Sequence, residues 1–348
     1  MSLNSLAREI RESLLRFLWR QWSQIGVAGA VEFVDRWIID PEALLVFTLS
    51  MGRRDARLFD EVLDWMVCNG RSISIQRLKN IADGLGESTT SRTLSAMAAV
   101  VDEHDPKARW SRLASGVSQS RDDREPFFLD LDGRPLPVVG EPDERFLRAG
   151  YVRVRPQLRG LSQSVSTGLP TNLVFRLRAL FGLGPRAEIL AYLLTHSSGL
   201  SSEVARSTAY SSTQVHEALK GLALADVVTE RPRGRQRSFR TDVGRWLALL
   251  GMPESAVPTW VEWPRVFTAL SALVGFLSEA TSQPPSDYLL RSDIITLWPR
   301  VSSLLDDSGL PNPFAKAPAI EDAVNALADG ATTLIGALAA GASRGADG

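Results

Sequence analysis

The chain has 348 residues, 44% of them hydrophobic and 23% charged, with a formal net charge of −1. This is an ordinary balance for a globular protein, with apolar material for sizeable cores and length for more than one domain. One cysteine, Cys68, excludes an intramolecular disulfide framework and fits a reducing cytoplasm, and at the end of the apolar run Val62–Val67 it reads as a buried, inert thiol.

Met1–Trp22 is interrupted by Arg8, Glu9, Arg11, Glu12 and Arg16 and has no signal-peptide apolar core. Its Leu6, Ile10, Leu14, Phe17 and Leu18 recur at helical spacing and predict a helix over 4–22. Asp40-Pro41 is a cap followed by proline at the first helical position and starts a helix reaching Met51. Helices are expected over Leu58–Val67, stopped by Asn69-Gly70, then over Ile73–Ile81 and Arg92–Val101. This run can be read as a helix-turn-helix, but its third helix is alanine-rich and poor in positive charge, so a plain helical core is the better reading. Residues 111–125 read as a linker. Phe127–Val139, with Asp132-Gly133 at its centre, carries a β-hairpin signal, and Tyr151–Arg155 alternates like a short strand. Asp130 and Asp132 suit a turn better than a cation site, and Arg153, Arg155 and Arg159 suit a solvated strand face. Beyond Thr171 the pattern is helical again, with later helices over Val261–Glu279, Leu289–Leu305 and Ile320–Leu338. The longest uninterrupted apolar stretch, Val266–Leu277, falls short of a membrane span, so the chain reads as cytoplasmic. Of the nine tryptophans, Trp19, Trp22, Trp37, Trp65, Trp246, Trp260 and Trp263 fall in or beside helical apolar patterns and suit core and interface packing.

The most informative segment runs from Pro185 to about Arg245. Pro185 opens a helix with Ile189, Leu190, Leu193 and Leu194 on one face, and a serine-capped short helix follows Leu200. Ser211 and Gln214 form a capping-box pair at the start of a third helix. In it Val215, Ala218, Leu219 and Leu222 share one face, and Thr213, Gln214, His216, Glu217 and Lys220 the other. Then come two strand-like runs around Arg231, Arg233, Arg235, Arg237 and Arg240, a stretch of five arginines and no acid in a near-neutral chain. A capped helix with small polar residues suits the major groove, and an arginine-rich hairpin suits the phosphate backbone or minor groove. Candidate DNA contacts are therefore Ser211, Ser212, Thr213, Gln214, His216, Lys220 and the five arginines.

Arg186–Leu190, Leu200–Ala205, Ser211–Val215, Leu219–Leu222, Val227-Val228 and the run through Phe239 together resemble the winged-helix regulators of the MarR and ArsR type. The resemblance covers about sixty residues. It implies a winged helix-turn-helix that binds double-stranded DNA, as a repressor and a homodimer. The whole chain is similar to long bacterial proteins with a central winged helix, some of them encoded beside nucleotidyltransferase toxins, which implies a protein partner from a neighbouring gene. Enzyme chemistry has no foothold. His104, His196 and His216 lack metal-ligand spacing, Cys68 has no base partner, and no glycine-rich phosphate loop is present, so no catalytic residue, metal or cofactor is expected.

The expected fold is mainly α, with a central winged helix-turn-helix, N- and C-terminal helical regions and a small β-hairpin connector. The divisions are an N-terminal helical domain at 1–110, a connector at 111–170, the winged helix at 171–251, a C-terminal helical region at 252–339 and a disordered tail at 340–348. Two alternatives stay open. One is an antitoxin-like or adaptor subunit that uses the winged helix for protein contacts, and the other is a ligand-sensing regulator with a pocket among the tryptophan-rich helices.

Overall fold

In the computed structural model, which describes residues 2–29, 33–86, 88–116, 124–234 and 236–344, helices dominate and strands are short. The N-terminal half holds α1 (Leu3–Gln24), α2 (Pro41–Met51), α3 (Ala56–Asn69), α4 (Ile75–Leu85), α5 (Ser88–His104), α6 (Ser111–Ala114) and α7 (Glu144–Arg148). The centre holds α8 (Leu173–Phe181), α9 (Pro185–Thr195), α10 (Ser201–Thr208), α11 (Ser212–Leu224) and α12 (Val243–Leu250). The C-terminal region holds α13 (Trp263–Ser282), α14 (Asp287–Leu305) and α15 (Ala323–Ala340). The strands are β1 (Phe33–Asp35), β2 (Glu125–Pro126), β3 (Tyr151–Val152), β4 (Gly199–Leu200), β5 (Thr229–Arg233), β6 (Gln236–Arg240) and β7 (Ala342–Arg344).

Local chemistry sets most helix starts. Asp40 accepts the Ala43 N–H at 3.0 Å ahead of Pro41, Asp55 accepts that of Leu58, and Ser286 that of Leu289. One expected cap differs: α10 begins with Leu200 at the cap position, and Glu203 accepts the Leu200 N–H instead of a serine capping the helix.

The N- and C-terminal helices share one core. α13 and α15 pack on α1, and α13 also packs on α2. Aromatic rings bind the two ends of the chain together. Phe47 of α2 stacks on Phe267 of α13 at 4.7 Å, Phe17 of α1 meets Trp263, and the Trp263 Nε1–H donates to the Ile38 carbonyl. Ile320–Ala340 is long and apolar enough by composition to span a bilayer. Here, however, its Leu327, Ala331, Leu334 and Leu338 are buried in this core while Asn325, Asp329, Thr332 and Thr333 face outward. Residues 173–252 build a second core, joined by Ile38 from the first half.

Several expectations change. Cys68 is exposed, because it lies on the outer face of α3 while Trp65, Met66 and Asn69 face inward. Its thiol is nonetheless pushed up, by partial burial and by Asp64. Arg153 is buried. It pairs with Asp60 at 2.8 Å and lies over the Phe128 and Phe146 rings, each 4.8 Å from the guanidinium carbon. Arg155 and Arg159 remain exposed, Arg159 pairing with the buried Glu61. The 127–139 hairpin shrinks to one bridge, Leu129 to Pro135, around a turn in which Asp130 accepts the N–H groups of Asp132 and Arg134. Tyr151-Val152 is a strand, pairing in parallel with Glu125-Pro126. As the plain-core reading expects, the alanine-rich α5 buries Ala96, Met97, Ala98, Val100 and Val101. Ala342–Arg344, placed in the tail by sequence, pairs antiparallel with β1, and residues 345–348 lie outside the described residues.

Candidate nucleic-acid interface

The central segment folds in the order α9, β4, α10, α11, β5, β6, and its three strands lie side by side in the order β4-β6-β5. Val204, Ala205, Val215, Ala218, Leu219 and Leu222 are buried between the three helices, with Val228 and Phe239 beneath the hairpin. The apolar face of α11 is thereby fixed inward, and Ser211, Ser212, Thr213, His216, Glu217 and Lys220 are exposed. Ser211 and Gln214 are occupied with each other. The Ser211 Oγ accepts the Gln214 N–H at 3.3 Å, and Gln214 Oε1 accepts the Ser211 N–H at 3.2 Å. These two residues set the start of α11, and Ser212, Thr213, His216 and Lys220 are exposed on its outer face without a side-chain hydrogen bond among the described residues.

The hairpin sorts its arginines by strand alternation. Gly234 takes φ +63 at the tip, a conformation that glycine adopts without strain. The register pairs Arg231 with Ser238, Arg233 with Gln236 and Thr229 with Arg240. Phe239 is buried, so its face, shared with Glu230, Pro232 and Arg237, is the inner one. Arg231, Arg233 and Arg240 therefore share the outer face, exposed and without an acidic partner among the described residues. Arg237, on the inner face, pairs with Glu230. Glu230 stands one residue before the acid-free stretch, and only the pairing register reveals that it neutralises Arg237. Arg235 lies outside the described residues.

Between α10, α11 and β6 lies an open cleft of about 550 Å³ lined by Ser201, Ser202, Ser212, Thr213, His216 and Arg237. The structure thus brings Ser212, Thr213, His216 and the inner Arg237 to one cleft, whereas Ser211, Gln214 and Lys220 do not line it and Arg231, Arg233 and Arg240 lie on the opposite face of the hairpin. Ser201 and Ser202 were missed by sequence reasoning, and their only signal was a helix start facing another helix start across a turn. Among the described residues, no group of three or more His, Cys, Asp or Glu side chains is placed to hold a metal ion.

A buried charge cluster fastens this segment to the helical body. Arg178 of α8 donates to Glu42 of α2 at 2.8 and 2.9 Å, to Glu188 of α9 at 2.8 and 2.5 Å, and to the Ser72 carbonyl. Arg77 of α4 donates to Asp40, Glu42 and the Thr208 carbonyl at the end of α10. Burial holds the Glu188 carboxyl above the ordinary carboxylate range despite Arg178. Tyr210, in the turn before α11, hydrogen-bonds Ser74 at 3.1 Å. On the other side Glu262, ahead of α13, accepts from Ser207 at 2.5 Å and pairs with Arg206. The turn from α10 to α11 is thus gripped from both sides, while the outer face of α11 is left open.

No protein-family model, curated protein or solved structure matches the chain.

Proposed function

We propose that residues 185–240 form a winged helix-turn-helix that binds double-stranded DNA. The chain is then a non-enzymatic, cytoplasmic transcriptional regulator, a repressor acting as a homodimer. The observation that carries this reading is an arginine hairpin next to an exposed polar helix face: Arg237 shares a cleft with Ser212, Thr213 and His216, and Arg231, Arg233 and Arg240 stand exposed on the outer hairpin face without an acidic partner among the described residues. Ser212, Thr213, His216 and Lys220 would reach base edges, and the outer arginines would neutralise phosphates. The test is fluorescence anisotropy with duplex DNA from upstream of the gene, titrated at several salt concentrations. Affinity should fall steeply with salt. The triple variant R231A/R233A/R240A should flatten the log–log slope by about 2.7, at roughly 0.9 for each phosphate that is no longer neutralised. Salt-independent binding, or an unchanged slope in the triple variant, rules the reading out.

A second reading, a protein-interaction module, draws support from apolar exposure. Leu224 at the end of α11 is 90% exposed, and Leu180, Leu183 and Leu249 are exposed around the Phe181–Trp246 contact. A stable complex with the product of a neighbouring gene, together with absence of DNA affinity, would favour it.

A further inference from the structure

Away from the hairpin, the C-terminal half of α2, the first turn of α5 and the middle of α13 line a half-open cavity of about 330 Å³. Its polar lining is Ser50, Arg54, Ser88, Thr89, Ser271 and Ser278, and Phe47, Met51 and Val274 supply apolar wall. We propose that this cavity binds a small organic anion, whose phosphate or carboxylate group is held by Arg54 and the hydroxyls of Ser50, Ser88, Thr89 and Ser271, Ser278 being taken by Arg11 and the Val274 carbonyl.

Arg54 is the decisive residue. It is half-buried, yet it makes no hydrogen bond or ion pair among the described residues, and its Nε is fully buried without a partner. Neighbouring buried arginines are all engaged. Arg53 donates to the Phe127 carbonyl and reaches Glu125, Arg11 donates to the Leu131 carbonyl and Ser278 Oγ, and Arg153 pairs with Asp60. Burial, with Arg11 and Arg53 close by, pushes the Arg54 guanidinium down to about 10. The carboxylate that acts on it is Asp130, which makes no ion pair with it and whose Oδ1 accepts the Asp132 and Arg134 N–H groups of its own turn. An unpaired guanidinium among like charges is costly, and an anion removes that cost.

The rest of the lining fits the same ligand. Ser271 Oγ is buried and has no hydrogen-bond partner. Ser88 and Thr89 open the long helix α5, whose N-terminal dipole favours negative charge. A Cβ built on Gly275 would meet nothing within 4 Å, so the wall of α13 leaves open space there. The volume is at the small end of ligand pockets, and the apolar wall suits a carbon skeleton in addition to the charged group.

The test is isothermal titration calorimetry of the full chain with malonate and with inorganic phosphate, which separates a carboxylate from a phosphate preference. Three variants accompany it: Arg54→Met, which removes the charge; Gly275→Leu, which fills the cavity and keeps Arg54; and the outer hairpin triple R231A/R233A/R240A. At least one probe should bind saturably. Both cavity variants should weaken it by about 10- to 100-fold, as for losing a hydrogen bond to a charged group, and the hairpin triple should leave it unchanged. Arg54→Met should also raise the melting temperature of the ligand-free protein, because it removes the uncompensated charge. If Arg54→Met does not fold, Gly275→Leu decides. Saturable binding to neither probe, binding intact in a folded cavity variant, or binding abolished in the hairpin triple overturns the proposal.

Discussion

Replacing Arg178 with methionine should destabilise the protein by about 3–5 kcal/mol, the range for removing one partner of a buried ion pair. The structure shows why the loss falls on Glu188. Among the described residues its Oε1 is held by Arg178 alone, at 2.8 and 2.5 Å, and its Oε2 has no hydrogen-bond partner. Glu42 suffers less, because each of its oxygens keeps a donor, the Ser74 N–H on one and Arg77 on the other. The double variant R178M/E188L should therefore recover about half of the loss or more, since it removes the stranded carboxylate. Urea denaturation followed by tryptophan fluorescence gives both values. The penalty also has a pH sign. Glu188 already has a folded-state pKa raised by burial, and losing Arg178 raises it further. A raised folded pKa means that its stability contribution is complete below the unfolded value, about 4.3, and is lost as pH rises through the folded one. The penalty at pH 7 should accordingly shrink toward pH 5. A loss below about 1 kcal/mol, or one independent of pH, would refute the argument that Arg178 compensates a buried carboxylate.

Three further outcomes are expected. Glu230→Gln frees Arg237 from its cross-hairpin partner and should strengthen DNA binding, steepening the salt slope by about 0.9; weaker binding would place Arg237 away from the DNA. Ser211→Ala removes the α11 cap and should cost about 1 kcal/mol of stability, read by urea titration, with the salt slope unchanged. Gly341→Ala drives a Cβ into the Trp37 ring, with φ already at −67. The effect is purely steric and should cost about 1–3 kcal/mol, seen as a lowered melting temperature.

Sequence by itself determined what depends on residues within about one helical turn of each other. The Asp40 and Ser211 caps, the inward stripe of Val215, Ala218, Leu219 and Leu222, and the two strands around Gly234 are all set by such neighbours. Those neighbours stay together whatever the tertiary fold, which is why the helical character and the outward polar face of α11 were legible. Tertiary structure alone decided which charges are spent. Arg178 meets Glu42 from 136 residues away, and Arg153 meets Asp60 from 93. Nothing local distinguishes these buried arginines from the free Arg231 and Arg233. The Glu230–Arg237 pair, the packing of α13 and α15 on α1, and the unpartnered Arg54 have the same origin. A side chain's charge is written in the sequence, but whether a distant partner neutralises it is settled only when the chain has folded.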